Sequence, residues 1–259
     1  MQMVNERFIF RFVVPFIITF FISLFFVRCT STKNNGTKNL RRVDLHFKLP
    51  IVTDRGDLIN ISDSLVIFYN NKSILYRIPY RTILIDSGEM INEQIKYNYF
   101  IYHKKESKGF FFDSVNVTGY KKIKVDSFLA TKALLGFEVY NKTNDSLVET
   151  INDNENFNLI QKFVPKVRID ESYPDTTIVY YKKKFHDLEI SFSQALERSN
   201  GLQISKVKML YVPHVIEKSA KELPYRELYV ELKELSNILA DEVFLFNLLE
   251  QKISKSHLE

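Results

Sequence analysis

Hydrophobic spacing changes character twice along the chain, and each change marks a different kind of segment. From Phe12 to Val27 nearly every residue is apolar and no polar face interrupts the run. Between Val43 and about Tyr211 short runs alternate apolar with polar positions, the period of a strand. From Leu228 onward apolar residues recur every three or four positions, the period of a helix.

The middle region predicts strands joined by tight turns. "SLVIFYNNKSILYRIP" reads as a hairpin around Asn70-Asn71, because asparagine tolerates the positive φ of such turns. "IKYNYFIYH" puts Ile95, Tyr97, Tyr99 and Ile101 on one face, with Lys96 and Asn98 opposite. "FEVYNKTNDSLVETI" reads as a second hairpin turning at Asn141 to Ser146. "VDLHFKLP", "TTIVYYKKK" and "LQISKVKMLYVP" add further strands. "SFSQALERSNG" predicts a short helix, with Ser191 and Gln194 as a capping box and Gly201 as the C-terminal cap. Strands packed this closely in sequence predict a curved antiparallel sheet in an α+β, mainly β fold.

The C-terminal pattern predicts one long helix over about 224–255. Pro224 takes its first position, and Leu228, Leu232, Leu235, Leu239, Val243, Phe246, Leu249 and Ile253 form the stripe. A break near Asn237 or Asp241 would divide it in two. Lys252, Lys255 and His257 suit the negative end of the helix dipole. The stripe either packs on the sheet or serves a partner helix.

The first apolar run sets the compartment. As a helix, Phe12 to Val27 spans about 24 Å, short of the roughly 30 Å hydrocarbon core. Arg7 and Arg11 precede it and a polar switch follows, which is the shape of a secretory signal over residues 1–28. Cys29, the sole cysteine, falls at the end of the run and resembles the lipidated residue of bacterial lipoproteins. "FVRC" departs from that pattern at Arg28 and Phe26. An uncut anchor is the alternative: Arg28, Lys33, Lys38, Arg41 and Arg42 outnumber the basic residues before the run. Residues 29–42 then form the attachment site and a flexible tether, and 43–259 the β-rich domain.

Composition agrees with a folded, sheet-rich chain. Of 259 residues 45% are hydrophobic, with 22 Phe, 14 Tyr and no Trp, and such aromatics favour pleated surfaces. The formal charge of +5 includes Arg7, Arg11 and Arg28 against Glu6. The exported part carries about +3, too little and too dispersed for a nucleic-acid surface. With Cys29 acylated no thiol remains, as in envelope proteins without disulfides.

Candidate chemistry is sparse. His46, His103, His186, His214 and His257 have no metal-ligand spacing, and no nucleotide or nucleophile-elbow motif occurs, so no metal or cofactor is expected. Ser205 and Lys208 match S-x-x-K, but in a strand the two point to opposite faces. Asp86 and Glu89 are paired carboxylates at a strand end, which a solvated turn explains equally. "NDNEN" lacks the glycine and terminal glutamate of a calcium loop. Asp followed by Ser or Thr and then by Leu, Val or Thr occurs four times. The hydroxyls are Ser64, Ser114, Ser146 and Thr176, and the pattern resembles the O-glycosylation acceptor of exported Bacteroidota proteins. A turn ending in Asp-Ser before a strand would produce the same pattern.

"DSLVIFYNNKSILYRIP" and "FEVYNKTNDSLVETI" together resemble the opening strands of GLPGL-type envelope proteins of the Bacteroidota, without the namesake signature. The resemblance implies an envelope lipoprotein. The expectation is a membrane-anchored, non-enzymatic binding or assembly module facing the periplasm, serving an envelope protein or an apolar ligand. A hydrolase without a sequence signature is the alternative.

Overall fold

The computed structural model describes residues 39–53, 57–86, 89–116, 119–132, 138–153, 155–170, 173–183, 185, 188, 190–216 and 221–256. Asn39–Glu259 forms one compact unit. Its first six strands are β1 (Arg41–Val52), β2 (Leu58–Tyr69), β3 (Ser73–Asp86), β4 (Glu89–His103), β5 (Lys108–Phe112) and β6 (Lys121–Lys124). Helix α1 (Val125–Lys132) follows, then β7 (Asp145–Ile151), β8 (Leu159–Pro165), β9 (Thr176–Lys182), α2 (Gln194–Asn200) and β10 (Gln203–Tyr211). The chain ends with β11 (His214–Ile216), β12 (Lys221–Leu223), β13 (Arg226–Leu235) and α3 (Ala240–Ser256). The fold is mainly β, an antiparallel sheet with a C-terminal helix.

Eleven strands form this sheet, in the order β6-β5-β4-β3-β2-β1-β13-β10-β9-β8-β7, and β11 pairs with β12 apart from it. Two meanders, β1 to β6 and β7 to β10, meet on the late strand β13. Strands that follow one another in sequence pair within each meander, with α2 in the connection from β9 to β10, while β13 pairs with β1 across nearly the whole chain.

Both faces of the sheet are covered, which explains why β2 to β4 carry apolar residues at consecutive positions. On one face Val43, Leu45, Ile67, Ile74, Tyr76, Phe100, Val207 and Val230 lie beneath α1, α2 and the segment ending in Ile190 and Phe192. Phe128 of α1 stacks on Phe100 at 3.8 Å between centroids and meets Tyr76 edge-on at 5.4 Å. That covering segment is tied down by Gln203, which donates to the Ile190 carbonyl at 2.6 Å and accepts from the Phe185 amide at 2.8 Å. On the other face Phe246, Leu249 and Ile253 of α3 pack over Val66, Phe68, Leu75, Tyr99, Ile101, Phe110 and Phe112. Gly109 is required by the face beneath α1: a Cβ there would lie 2.4 Å from Cζ of Phe100, the ring that stacks on Phe128.

The long helix expected over 224–255 is shorter and preceded by a strand. Residues 226–235 are β13, and Pro224 lies in the turn before it. Leu228 and Leu232 fit a helical spacing, but Leu228, Val230 and Leu232 also alternate with Tyr229, Glu231 and Lys233. The slot between β1 and β10 supplies partners on both sides and selects the strand. In α3 itself, Glu242 closes the first turn by accepting from the Leu239 amide at 3.1 Å.

Smaller expectations also need correction. Asn70 closes the β2–β3 turn with its side chain, accepting from the amides of Lys72 and Ser73. The only non-glycine positive φ among the described residues is at Lys105, so neither asparagine uses that conformation. Ser193, not Ser191, caps α2, accepting from the Leu196 amide, while Gly201 ends it at φ 65° as expected. Asp145–Ile151 forms a hairpin with β8, not with the residues before Asn141. Arg41 and Arg42, expected within the tether, already belong to β1.

Candidate functional site

Cys29, the proposed lipidation site, lies outside the described residues, as do His186 and His257. The acceptor candidates have three kinds of setting. Ser146 and Thr176 sit at strand starts, as the turn-to-strand account requires, and Ser114 is exposed in the bend after β5. Ser64 lies in the interior of β2 opposite His46, so the turn-to-strand account does not cover it.

Asp86 opposes Glu89 at the end of the β3–β4 hairpin. Ser205 is buried and donates to the Tyr180 carbonyl, while Lys208 pairs with Glu227 at 3.1 Å, so the two never meet. Asp153 accepts from the amides of Glu155 and Asn156 with one oxygen, which is a polar turn. No cluster of three metal-ligating side chains occurs among the described residues.

The structure does assemble two polar clusters that sequence reasoning missed, both beneath α3. In the first, Ser73 Oγ lies 2.8 Å from Glu250 Oε1 and 2.9 Å from His103 Nδ1. The three residue types suggest a hydrolytic triad, but the order is wrong. Serine is the hub: it donates to the carboxylate and so must accept from the imidazole, which cannot then take its proton. Ser73 is also wholly buried, beyond reach of a substrate. The cluster fastens α3 to the β3–β4 hairpin.

The second cluster is ionic. Arg42 on β1 bonds both oxygens of Asp44 at 2.9 Å and both of Glu242 at 2.9 and 3.2 Å. Arg77 on β3 approaches Glu242 at 3.4 Å, with its guanidinium over Phe68 and Tyr97. The hydrogen bond to Asp44, more than the charge of Glu242, holds the Arg42 pKa above its usual value. Two guanidiniums facing two carboxylates make a balanced, desolvated seam. Its sequence signal was the Arg42/Asp44 spacing, which puts both side chains on one face of β1.

Outside these seams, the sheet extends into two arms. β1 and β2 pair with each other to their ends, but β1 leaves β13 after Lys48 and β2 meets β3 only over Val66 to Tyr69. β3 and β4 likewise continue past Arg77 as a separate hairpin. Each departure comes two residues before a proline, Pro50 or Pro79, which has no N–H to extend a ladder. On the first arm Ile51 opposes Ile59 and Leu49 opposes Ile61, on the same face as Val43 and Leu45. Ile51, Ile59 and Ile61 are 46, 51 and 43% exposed, and Tyr80 continues the same face onto the second arm. Ile95 and Tyr97 are exposed on that arm's opposite face.

The outer edges of the sheet are less open to partners. β6 reads Lys-Lys-Ile-Lys, and β7 carries a bulge between Leu147 and Glu149. Charge and bulges both discourage strand addition.

Comparison of the sequence with protein-family models finds no matching family, and comparison with curated proteins finds no matching relative.

Proposed function

We propose that the chain is a lipid-anchored envelope protein that acts as a non-enzymatic binding module, presenting its two hairpin arms to an envelope protein. The observation that carries this reading is the course of β1. It starts at Arg41, next to the tether, and its 12 residues run about 40 Å to the tip of the first arm. The exposed isoleucines therefore lie at the end of the domain away from Arg41, the end where the chain leaves toward Cys29. The partner is a protein rather than a carried apolar ligand, because Tyr76, Phe100 and Phe128 fill the covered face of the sheet.

Two substitutions test the two halves of this proposal. Cys29→Ser should abolish incorporation of labelled fatty acid and release the protein from membranes. Labelling that survives, or a product still beginning at Met1, would replace lipidation with an uncut anchor. Ile59→Ser with Ile61→Ser should leave stability nearly unchanged, within about 0.5 kcal/mol per exposed site. A photo-crosslinker placed at Ile59 should capture envelope protein in cells far more efficiently than one at Lys121, on the lysine-rich edge. Equal yields at the two positions would overturn the arm as the contact surface.

A further inference from the structure

The end of the sheet opposite the arms carries an open groove of about 620 Å³. It lies where β1 begins and where β9 and β13 end. Its described lining includes four cations, Arg41, Lys182, Lys183 and Lys233, against Glu155 and Glu234. Arg41 reaches Glu234 at 3.7 Å, which neutralises one pair. Lys182 rests over the Phe157 ring at 5.0 Å, a contact that holds its stem and leaves its charge uncompensated. No carboxylate lies within ion-pair distance of Lys183 or Lys233 among the described residues. The described groove thus keeps a surplus of two positive charges in a concave space floored by an aromatic ring.

Its place in the fold gives this surplus a direction. Arg41 is both a wall of the groove and the first residue of β1, and only Leu40 separates it from the tether sequence. Ten tether residues, Thr30 to Asn39, reach about 35 Å at full extension, so an anchored chain keeps this end within reach of the lipid surface. We infer that the groove is a headgroup site: it receives the phosphate of an anionic phospholipid and sets the domain upright on the membrane, arms outward. The inference rests on the anchoring proposed above but can be tested apart from it. Phosphate is the shared chemistry of a lipid headgroup and a free anion. A groove facing the bilayer takes the lipid, whose neighbours add the negative surface potential.

Two net charges near an anionic surface contribute about 1 kcal/mol each, so partition onto anionic lipid should improve roughly thirtyfold over neutral lipid. The test is amine-reactive footprinting of the full chain in phosphatidylglycerol nanodiscs and in phosphatidylcholine nanodiscs. Lys182, Lys183 and Lys233 should be labelled several-fold more slowly in the anionic discs, with Lys121 unchanged as reference. High salt should restore their rates, as screening requires. Inorganic phosphate at millimolar concentration should not protect them; protection by phosphate equal to that by lipid would make this a free-anion site and overturn the assignment. Lys183→Glu with Lys233→Glu should abolish the protection of Lys182 while leaving the melting temperature in place. Equal labelling in the two kinds of disc would also overturn it. Recovery of the chain with the discs reads the anchor separately. If the chain does not copurify with them, adding phosphatidylglycerol vesicles to the free chain puts the groove to the same comparison.

Discussion

Deleting residues 240–259 should abolish cooperative folding. Without α3, Phe68, Leu75, Ile101 and Phe112, each nearly or wholly buried, would face water on one side of the sheet. The helix itself buries Phe246, Leu249 and Ile253. At about 1.5–3 kcal/mol per side chain, the helix residues and the sheet residues they cover together represent a gross gain comparable with or above a net stability of about 5–15 kcal/mol. Ordering the helix offsets part of this gain, but the polar seams would be left unpaired as well. Thermal melts with near-ultraviolet circular dichroism should show a molten or aggregating product. A shortened chain that melts as cooperatively as its parent would make α3 an appendage. Deletion from Pro224, where the sequence pattern placed the start of the helix, would test something else, because it removes the central strand β13.

Glu242→Leu should be the most damaging single substitution at the α3 seam. It keeps a helix side chain of nearly the same size, yet leaves the Arg77 guanidinium with two aromatic rings and no carboxylate among the described residues. Arg42 retains Asp44 but loses its second partner. Breaking one member of a fully buried network costs about 3–5 kcal/mol, and the partly buried guanidiniums left here set the lower end of that range. For a domain of this length that lowers the melting temperature by roughly 10 °C. Adding Arg77→Met should recover a large part of the loss, because the stranded charge is then gone. A double variant no more stable than Glu242→Leu alone would show that Arg77 is hydrated and that the seam does not depend on charge balance. Glu250→Gln, which can still accept from Ser73, should cost far less.

The ionic seam also illustrates what a sequence leaves hidden. Glu242, the carboxylate that Arg42 and Arg77 share, is distant from both in sequence. Only the docking of α3 brings them together.

Local patterning determined the strands and the mainly β class. The alternation in β1, β9 and β10 and the apolar runs of β2 and β3 leave no other regular structure that buries those side chains. Gly201 as the end of α2 was also legible, because a left-handed terminus favours a residue without a Cβ. Tertiary structure decided what local spacing left ambiguous. Leu228, Val230 and Leu232 satisfy two periods, and the unfilled ladders of β1 and β10 made them a strand. Likewise, Asp145–Ile151 could have paired backward or forward, and β8 offered the partner. The arms and the groove depend on where ladders stop and which strand ends converge. Those are long-range pairings, and no window of sequence contains both partners.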